Sequence, residues 1–317
     1  MYIVRAPLRV SLFGGGTDFS DYYRIYGGCT VSFALNKYIY ISAHPIVESR
    51  DILLKYSSTE RVSIASQIIH PGFREVLMHF EAESLDLNVV SDVPAGTGLG
   101  SSSSFLVGLI KLMGKIKNQD FSKESIASLA CDIEISRLRA PIGKQDQYSS
   151  AFGGFNKIDY KPDNSVTVES IDQKHYQIVS HMALIRIGGT RRANELLEVQ
   201  LESKTRIDSL QKIHKIAESF SQEDLNSPEL IGEMLLDSWA AKKEISENVS
   251  TSYIDDVLKD CLKLGAYGGK LLGAGNVGYL LVIGPDDFPK HLRQETKYLV
   301  HDLGVDIDGA MLVYEHD

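Results

Sequence analysis

Short apolar, β-branched and aromatic runs punctuate the first 45 residues at Ile3–Val4, Val10–Phe13, Thr30–Phe33 and Tyr38–Ser42. Runs of this kind predict strands. Gly14-Gly15-Gly16 interrupts them, and Thr17 and Asp18 suit the turn or cap that follows. Two more short strands fit residues 51–69, a helix fits Phe73–Phe80, and Leu87–Ser91 reads as a strand. Apolar positions at helical spacing predict a helix over Ser102–Lys115 and a second over Lys123–Leu138, which must end before Pro141. The Gly-, Gln- and Ser-rich stretch Ala140–Gly154 reads as a loop.

The pattern turns polar at Lys157–Asn164, which suggests a boundary between a domain at 1–160 and another at 161–317. Beyond it, Ile178–Ile187 predicts a strand, and residues 193–247 are mostly helical. Their apolar stripes (Leu210, Ile213, Ala217, Phe220, then Leu230, Met234, Trp239) suit packing against a sheet. A helix at Ile254–Leu264 precedes the glycine-rich Gly268–Gly278. The strand Tyr279–Ile283, a helix from Phe288 to Leu303 and the strand Ala310–Tyr314 follow.

Composition adds boundaries to this picture. At 317 residues, with 43% hydrophobic and 24% charged positions, the chain can bury two cores without staples. The formal charge of −9 argues against nucleic acid as a partner. The 3 cysteines, Cys29, Cys131 and Cys261, have neither disulfide nor zinc spacing and read as small buried thiols. MYIVRAPLRV has no signal-peptide character, and no apolar run reaches the ~18 residues of a membrane helix. The expectation is a cytoplasmic protein without a membrane partner.

The chemistry centres on residues 94–105, PAGTGLGSSSSF. Glycines let backbone N–H groups approach an anion, and a helix start adds free donors and a positive dipole end. Pro94, Gly96, Thr97, Gly98, Leu99, Gly100, Ser101, Ser102 and Ser103 therefore read as a phosphate cradle. The cradle has no P-loop spacing and no lysine after its last glycine. Counter-charges must come from elsewhere in the chain. Glu134, on the second predicted helix, suits either a metal ligand or a surface pair with Arg137. Asp146, on the predicted loop, could cap that loop or orient a substrate hydroxyl and take its proton. Arg9 opens a strand, and near Asp146 its fixed charge would help neutralise a transition state. Asp18, behind three glycines, suits a turn or a contact to sugar hydroxyls. Gly273 and Gly275 suit backbone closing over a ligand. Arg191 and Arg192, in GGTRRANE, suit either a solvated helix start or a substrate phosphate.

APLRVSLFGGGTD at 6–18, PAGTGLGSSSSF at 94–105, GKQDQY at 143–148 and KLLGAGNVGYLL at 270–281, in this order, resemble the GHMP kinases, named for galactokinase, homoserine kinase, mevalonate kinase and phosphomevalonate kinase. The resemblance spans essentially the whole chain. It implies an α+β fold, with an N-terminal mixed α/β domain like the second domain of ribosomal protein S5 and a ferredoxin-like C-terminal domain. ATP and Mg2+ would bind between them. Gly96–Ser103 would wrap the phosphates, Ser102 and Glu134 would hold the metal, and Asp146 would act on the acceptor hydroxyl with Arg9 beside it. Gly15, Gly16, Thr17, Asp18 and Gly143 would line the sugar side. Gly15-Gly16 replaces the Glu-His of galactokinase-like members, which makes galactose a poor fit. The FGGGTD form is similar to that of bacterial heptose 7-phosphate kinases, which act on the anomeric hydroxyl. The implied partners are a sugar phosphate and ATP, with a homodimer as a candidate assembly. A kinase of another sugar, of fucose or galactose type, is the alternative within the same family, and a non-catalytic sugar and ATP sensor is the alternative of a different class. The sensor does not need Asp146, Glu134, Ser102 and Arg9 together. No motif marks the adenine pocket, for which the 55–70 segment is a candidate.

Overall fold

A computed structural model describes residues 1–188 and 205–316 of the chain. Its first layer is built on two long strands. β1 (Tyr2–Phe13) absorbs two of the apolar runs, and β2 (Gly28–Pro45), reached through α1 (Ser20–Tyr26), absorbs the other two. Pro7 made the first pair of runs look separate. In the structure the strand continues through it, and the register shifts at Pro7/Leu8, where Asn36 and Lys37 bulge opposite. A bulge tolerates a residue without a ladder donor.

β3 (Ile52–Lys55), β4 (Thr59–Val62), α2 (Pro71–His79) and β5 (Leu85–Ser91) follow. Then come α3 (Ser101–Ile116), α4 (Lys123–Cys131), α5 (Gln145–Phe152), β6 (Phe155–Tyr160) and β7 (Val166–Ser170). α3 packs across β1 and β2 and buries Leu106, Val107, Leu109, Ile110, Leu112 and Met113. Each of these side chains contributes on the order of 2 kcal/mol by leaving water.

β8 (Met182–Gly188), α6 (Arg206–Ser219), α7 (Pro228–Lys243), α8 (Ser252–Lys263), β9 (Gly268–Leu271), β10 (Gly278–Ile283), α9 (Phe288–Glu295), β11 (Val300–Asp302) and β12 (Met311–Glu315) complete the chain. The second sheet, ordered β11-β8-β10-β9, is antiparallel throughout. Its fourth-first-third-second order, with helices after the first and third strands, is the ferredoxin-like arrangement. It closes over Ile185, Trp239, Val257, Cys261, Leu280 and Phe288. The first sheet runs past residue 160 to β7 and takes back β12, which pairs with β1.

Several elements differ from the sequence reading, among them the strand expected over Ile178–Ile187, which begins only at Met182 after a 3-10 helix over Gln173–His181. Residues 145–152 are a helix rather than loop, with Gln147, Tyr148, Ser149, Ser150 and Ala151 all buried. Their polar composition hid a helix whose hydroxyls and amides are turned inward. The predicted helix to Leu303 stops at Glu295, and Val300–Asp302 instead forms the edge strand of the second sheet.

The two layers meet at two glycines. A Cβ on Gly273 would lie 2.5 Å from the Gly98 Cα, and one on Gly98 would lie 2.6 Å from the Leu272 carbonyl oxygen. Both have positive φ, +75° and +80°, so a side chain at either position is strained as well as crowded. Gly273→Ala is expected to lower stability by on the order of 2 kcal/mol. The check is the midpoint of urea unfolding, with Gly265→Ala as a positive-φ control that has no atom within 4 Å of its Cβ.

Candidate active site

A cleft of about 1420 Å3 runs between the layers. Pro94, Gly96, Gly98, Gly100, Ser101, Ser102 and Ser103 border it, and α3 starts at Ser101, with its first-turn N–H groups at this edge. Gly96, Gly98 and Gly100 all have positive φ, which turns the loop into the helix. Thr97 and Leu99 do not border the cleft. Their side chains are buried, the Thr97 hydroxyl donates to the Pro94 carbonyl at 3.1 Å, and the Leu99 carbonyl accepts from the Arg9 N–H at 3.0 Å. They shape the cradle from behind. Gly273 and Gly275 border the cleft, and Gly273 also packs backbone to backbone on Gly98.

Arg9 and Asp146 come together at the centre. Arg9 Nε donates to Asp146 Oδ1 at 2.7 Å and Nη2 to Oδ2 at 2.9 Å, while Nη1 donates to the Gly98 carbonyl at 2.7 Å. Asp146 stands in the first turn of α5, where the helix dipole favours an anion. The fork-to-fork pair fixes the carboxylate's plane, and its third bond ties it to the phosphate loop.

Glu134 lies in a π-helical turn that continues α4, and it is buried. Arg137 pairs instead with Asp132 at 2.7 Å, which removes the surface-pair reading of Glu134. Ser102 Oγ donates to Glu134 Oε1 at 2.6 Å, Ser103 Oγ donates to Oε2 at 2.7 Å, and Gln147 Nε2 donates to Oε2 at 2.8 Å. Burial pushes the Glu134 carboxyl above its ordinary value against those three hydrogen bonds, and the charge of Asp146 adds to the rise. A buried carboxylate beside a serine hydroxyl at a phosphate loop is a hard-oxygen set that fits Mg2+. Among the described residues, no group of three or more His, Cys, Asp or Glu side chains gathers as a metal cluster. A divalent ion here would therefore share its coordination with phosphate and water.

On the opposite wall stand Gly15, Gly16 and Asp18. Asp18 Oδ1 accepts from the Gly16 N–H at 2.9 Å and Oδ2 from the Gln145 N–H at 3.0 Å. Burial raises its pKa, the Gln145 bond opposes that, and the nearby Asp146 charge adds to the rise. Gly143 leaves room for this carboxylate, since a Cβ there would lie 1.9 Å from Asp18 Oδ2. Thr17 does not reach the cleft. It is fully buried, and its hydroxyl donates to the Gly14 and Cys29 carbonyls at 2.8 and 2.9 Å. Arg191 and Arg192 lie outside the described residues.

The structure adds residues that the motifs did not mark. Gln145 Nε2 is buried at the cleft without a hydrogen-bond partner. Ser238 and Lys242, one helical turn apart on α7, also border it, as does Lys270. Lys242 stands in a Lys-Lys pair that reads as solvated surface, so only the i, i+4 spacing from a buried serine signalled it. At the far end, Tyr56, His70, Phe73 and Phe105 form an apolar wall, with the Phe73 and Phe105 ring centroids 4.8 Å apart and those of His70 and Phe105 5.4 Å apart.

The profile of the GHMP kinases N terminal domain matches residues 66–154, and that of the GHMP kinases C terminal domain matches residues 213–293. The chain belongs to the GHMP kinase family and is an ATP-dependent phosphotransferase of the sugar-kinase type. It is 30% identical to the D-glycero-alpha-D-manno-heptose 7-phosphate kinase of Campylobacter jejuni subsp. jejuni serotype O:2, over 93% of this chain and 94% of that protein. It is 24% identical to the galactokinase of Pyrococcus furiosus over 90% of each. Among solved structures, a D-glycero-D-manno-heptose 1-phosphate kinase from Bacteriodes thetaiotaomicron superposes with a TM-score of 0.80 at 24% identity, covering 100% of both chains. A mevalonate kinase superposes with a TM-score of 0.75 at 18% identity, covering 97% of this chain and 100% of that one. Among the described residues, no helix is long and apolar enough to cross a membrane.

The raised pKa of Glu134 carries a stability consequence. An acid held above its unfolded value destabilises the fold at every pH above the folded pKa, and the penalty fades as pH falls through the folded pKa toward the unfolded one. Glu134→Gln, which removes the charge while Ser102 can turn to accept, is therefore expected to melt at or above the wild-type temperature at pH 7. Thermal denaturation at pH 7 and pH 5 checks this, with the gap between the two proteins narrowing at the lower pH.

Proposed function

We propose that the protein phosphorylates the anomeric hydroxyl of D-glycero-D-manno-heptose 7-phosphate at the expense of ATP, giving the 1,7-bisphosphate. The observation that carries the reaction is the bidentate Arg9–Asp146 pair, which stands between the glycine loop and the Gly15–Asp18 wall. An acceptor hydroxyl on that wall lies between a fixed carboxylate and the phosphate cradle. The heptose assignment rests on the 30%-identical relative and on Gly15-Gly16, which border the cleft without side chains of their own.

In this reading Asp146 orients the hydroxyl and accepts its proton. The hydroxyl oxygen forms a bond to the γ-phosphorus, the bond from that phosphorus to the β–γ bridging oxygen breaks, and ADP leaves with the bonding pair. Arg9 holds the carboxylate in plane, and backbone N–H groups of the loop and of α3 bind the phosphates. Asp18 and Gln145 Nε2 take sugar hydroxyls. The wall of Tyr56, His70, Phe73 and Phe105 receives the adenine. Ser102 and Glu134 would hold Mg2+, which supplies neutralisation of phosphate charge. An anomeric bisphosphate made this way suits nucleotide-heptose synthesis for surface polysaccharide.

The names of two similar proteins differ in where the substrate's phosphate sits, at position 7 in one and position 1 in the other. Turnover of ATP against a panel of hexoses, heptoses and their 1- and 7-phosphates separates these readings. The expected outcome is selective turnover of heptose 7-phosphate. Turnover of unphosphorylated sugars alone, or of the 1-phosphate, overturns the substrate assignment. Asp146→Asn is expected to lower kcat by roughly 10²–10⁴-fold while ATP affinity, read by titration calorimetry, stays near wild type. Undiminished kcat would remove Asp146 from the mechanism.

A further inference from the structure

The glycine loop has no lysine of its own, and the structure offers one from the other domain. We propose that Lys242 binds the terminal phosphate of ATP, the group to be transferred. This rests on reading residues 94–103 as the phosphate cradle.

Lys242 occupies the last turn of α7 and borders the cleft half-buried. Its Nζ donates to the Gly273 carbonyl, and Gly273 is the residue whose backbone touches Gly98 of the loop. The ammonium is therefore anchored to the wall of the cradle. That hydrogen bond uses one of its three N–H donors, and the acceptor is neutral. Among the described residues, no carboxylate lies within ion-pairing distance. Burial and the positive charge of Arg9 hold Lys242 down at about 8, while Asp18 acts in the opposite direction. Lys242, the loop-bound Arg9 and Asp18 all border the same cleft. A part-buried cation beside another cation is unfavourable until an anion arrives.

Among the described residues, the other cations bordering the cleft are more deeply buried, paired with a carboxylate, or exposed. Lys270 is buried, donates to the Leu12 carbonyl at 2.7 Å, and is pushed well below its ordinary value by burial and by the charges of Lys242 and Arg9. Arg206 pairs with Asp21. Arg139 stands exposed at the rim. The distal phosphate of a sugar substrate would lie several bonds beyond the acceptor hydroxyl, away from Gly98, which is why the terminal phosphate of ATP is the assigned anion.

The test is binding, read by titration calorimetry without turnover. Lys242→Gln keeps a donor for the Gly273 carbonyl and removes the charge. It is expected to weaken a non-hydrolysable ATP analogue by on the order of tenfold or more. ADP and heptose 7-phosphate should stay within about threefold of wild type, and Lys242→Arg should retain most of the preference for the analogue over ADP. If the glutamine variant is too unstable to titrate, Lys242→Met is expected to show the same selective loss. Equal weakening of analogue and ADP, weakening of heptose 7-phosphate alone, or no change in any ligand overturns the proposal. Loss of the Asp146 role or of the heptose assignment would leave the analogue-over-ADP difference intact, so the two failures are distinguishable.

Discussion

The Arg9 side chain is the constraint on which the site's geometry depends. Its fork faces Asp146, its remaining nitrogen holds the Gly98 carbonyl, and its backbone N–H holds the Leu99 carbonyl. One residue on the central strand pair thus fixes the Asp146 carboxylate and the glycine loop in a single frame. Guanidinium suits this task because it is planar, permanently charged and able to donate in several directions at once. A lysine could neutralise Asp146 but could not also define its plane.

The site gathers more charge than its volume comfortably holds. Asp18, Asp146, Glu134, Arg9, Lys242 and Lys270 all border one cleft, and burial pushes Asp18 and Glu134 up and both lysines down. Desolvation holds Asp18, Glu134 and both lysines away from their ordinary ionisation, and hydrogen bonds partly restore the two carboxylates. Such tension is common where a protein must receive a polyanion and, with it, a divalent cation. The fold carries the strain because two dry cores flank the cleft.

The motif-bearing half of this picture was readable in the chain. Glycines at 96, 98 and 100 ahead of four serines announce a loop turning into a helix, and that local rule holds wherever the segment folds. What escaped reading came from long-range packing. Gln145–Phe152 looks like loop because its buried faces carry serine and glutamine, whose partners, such as Ser32 and Glu134, lie elsewhere in the sequence. Thr17 and Leu99 sit inside motifs yet face inward, since a motif includes the residues that shape it. Lys242 belongs to no motif. Its meaning arises only when α7 is laid beside Gly273.

Strand β12 lies against β1, which bears Arg9. The ribosome makes β1 first and β12 some three hundred residues later. Through most of synthesis, the strand that carries Arg9 therefore has an open ladder on one side. An open edge invites pairing with a neighbouring chain. On that edge the pairing with β12 covers only Tyr2 to Arg5, and its register shifts between Ile3 and Val4. A short, irregular ladder of this kind offers a neighbouring chain little to pair with while the partner strand is still to come.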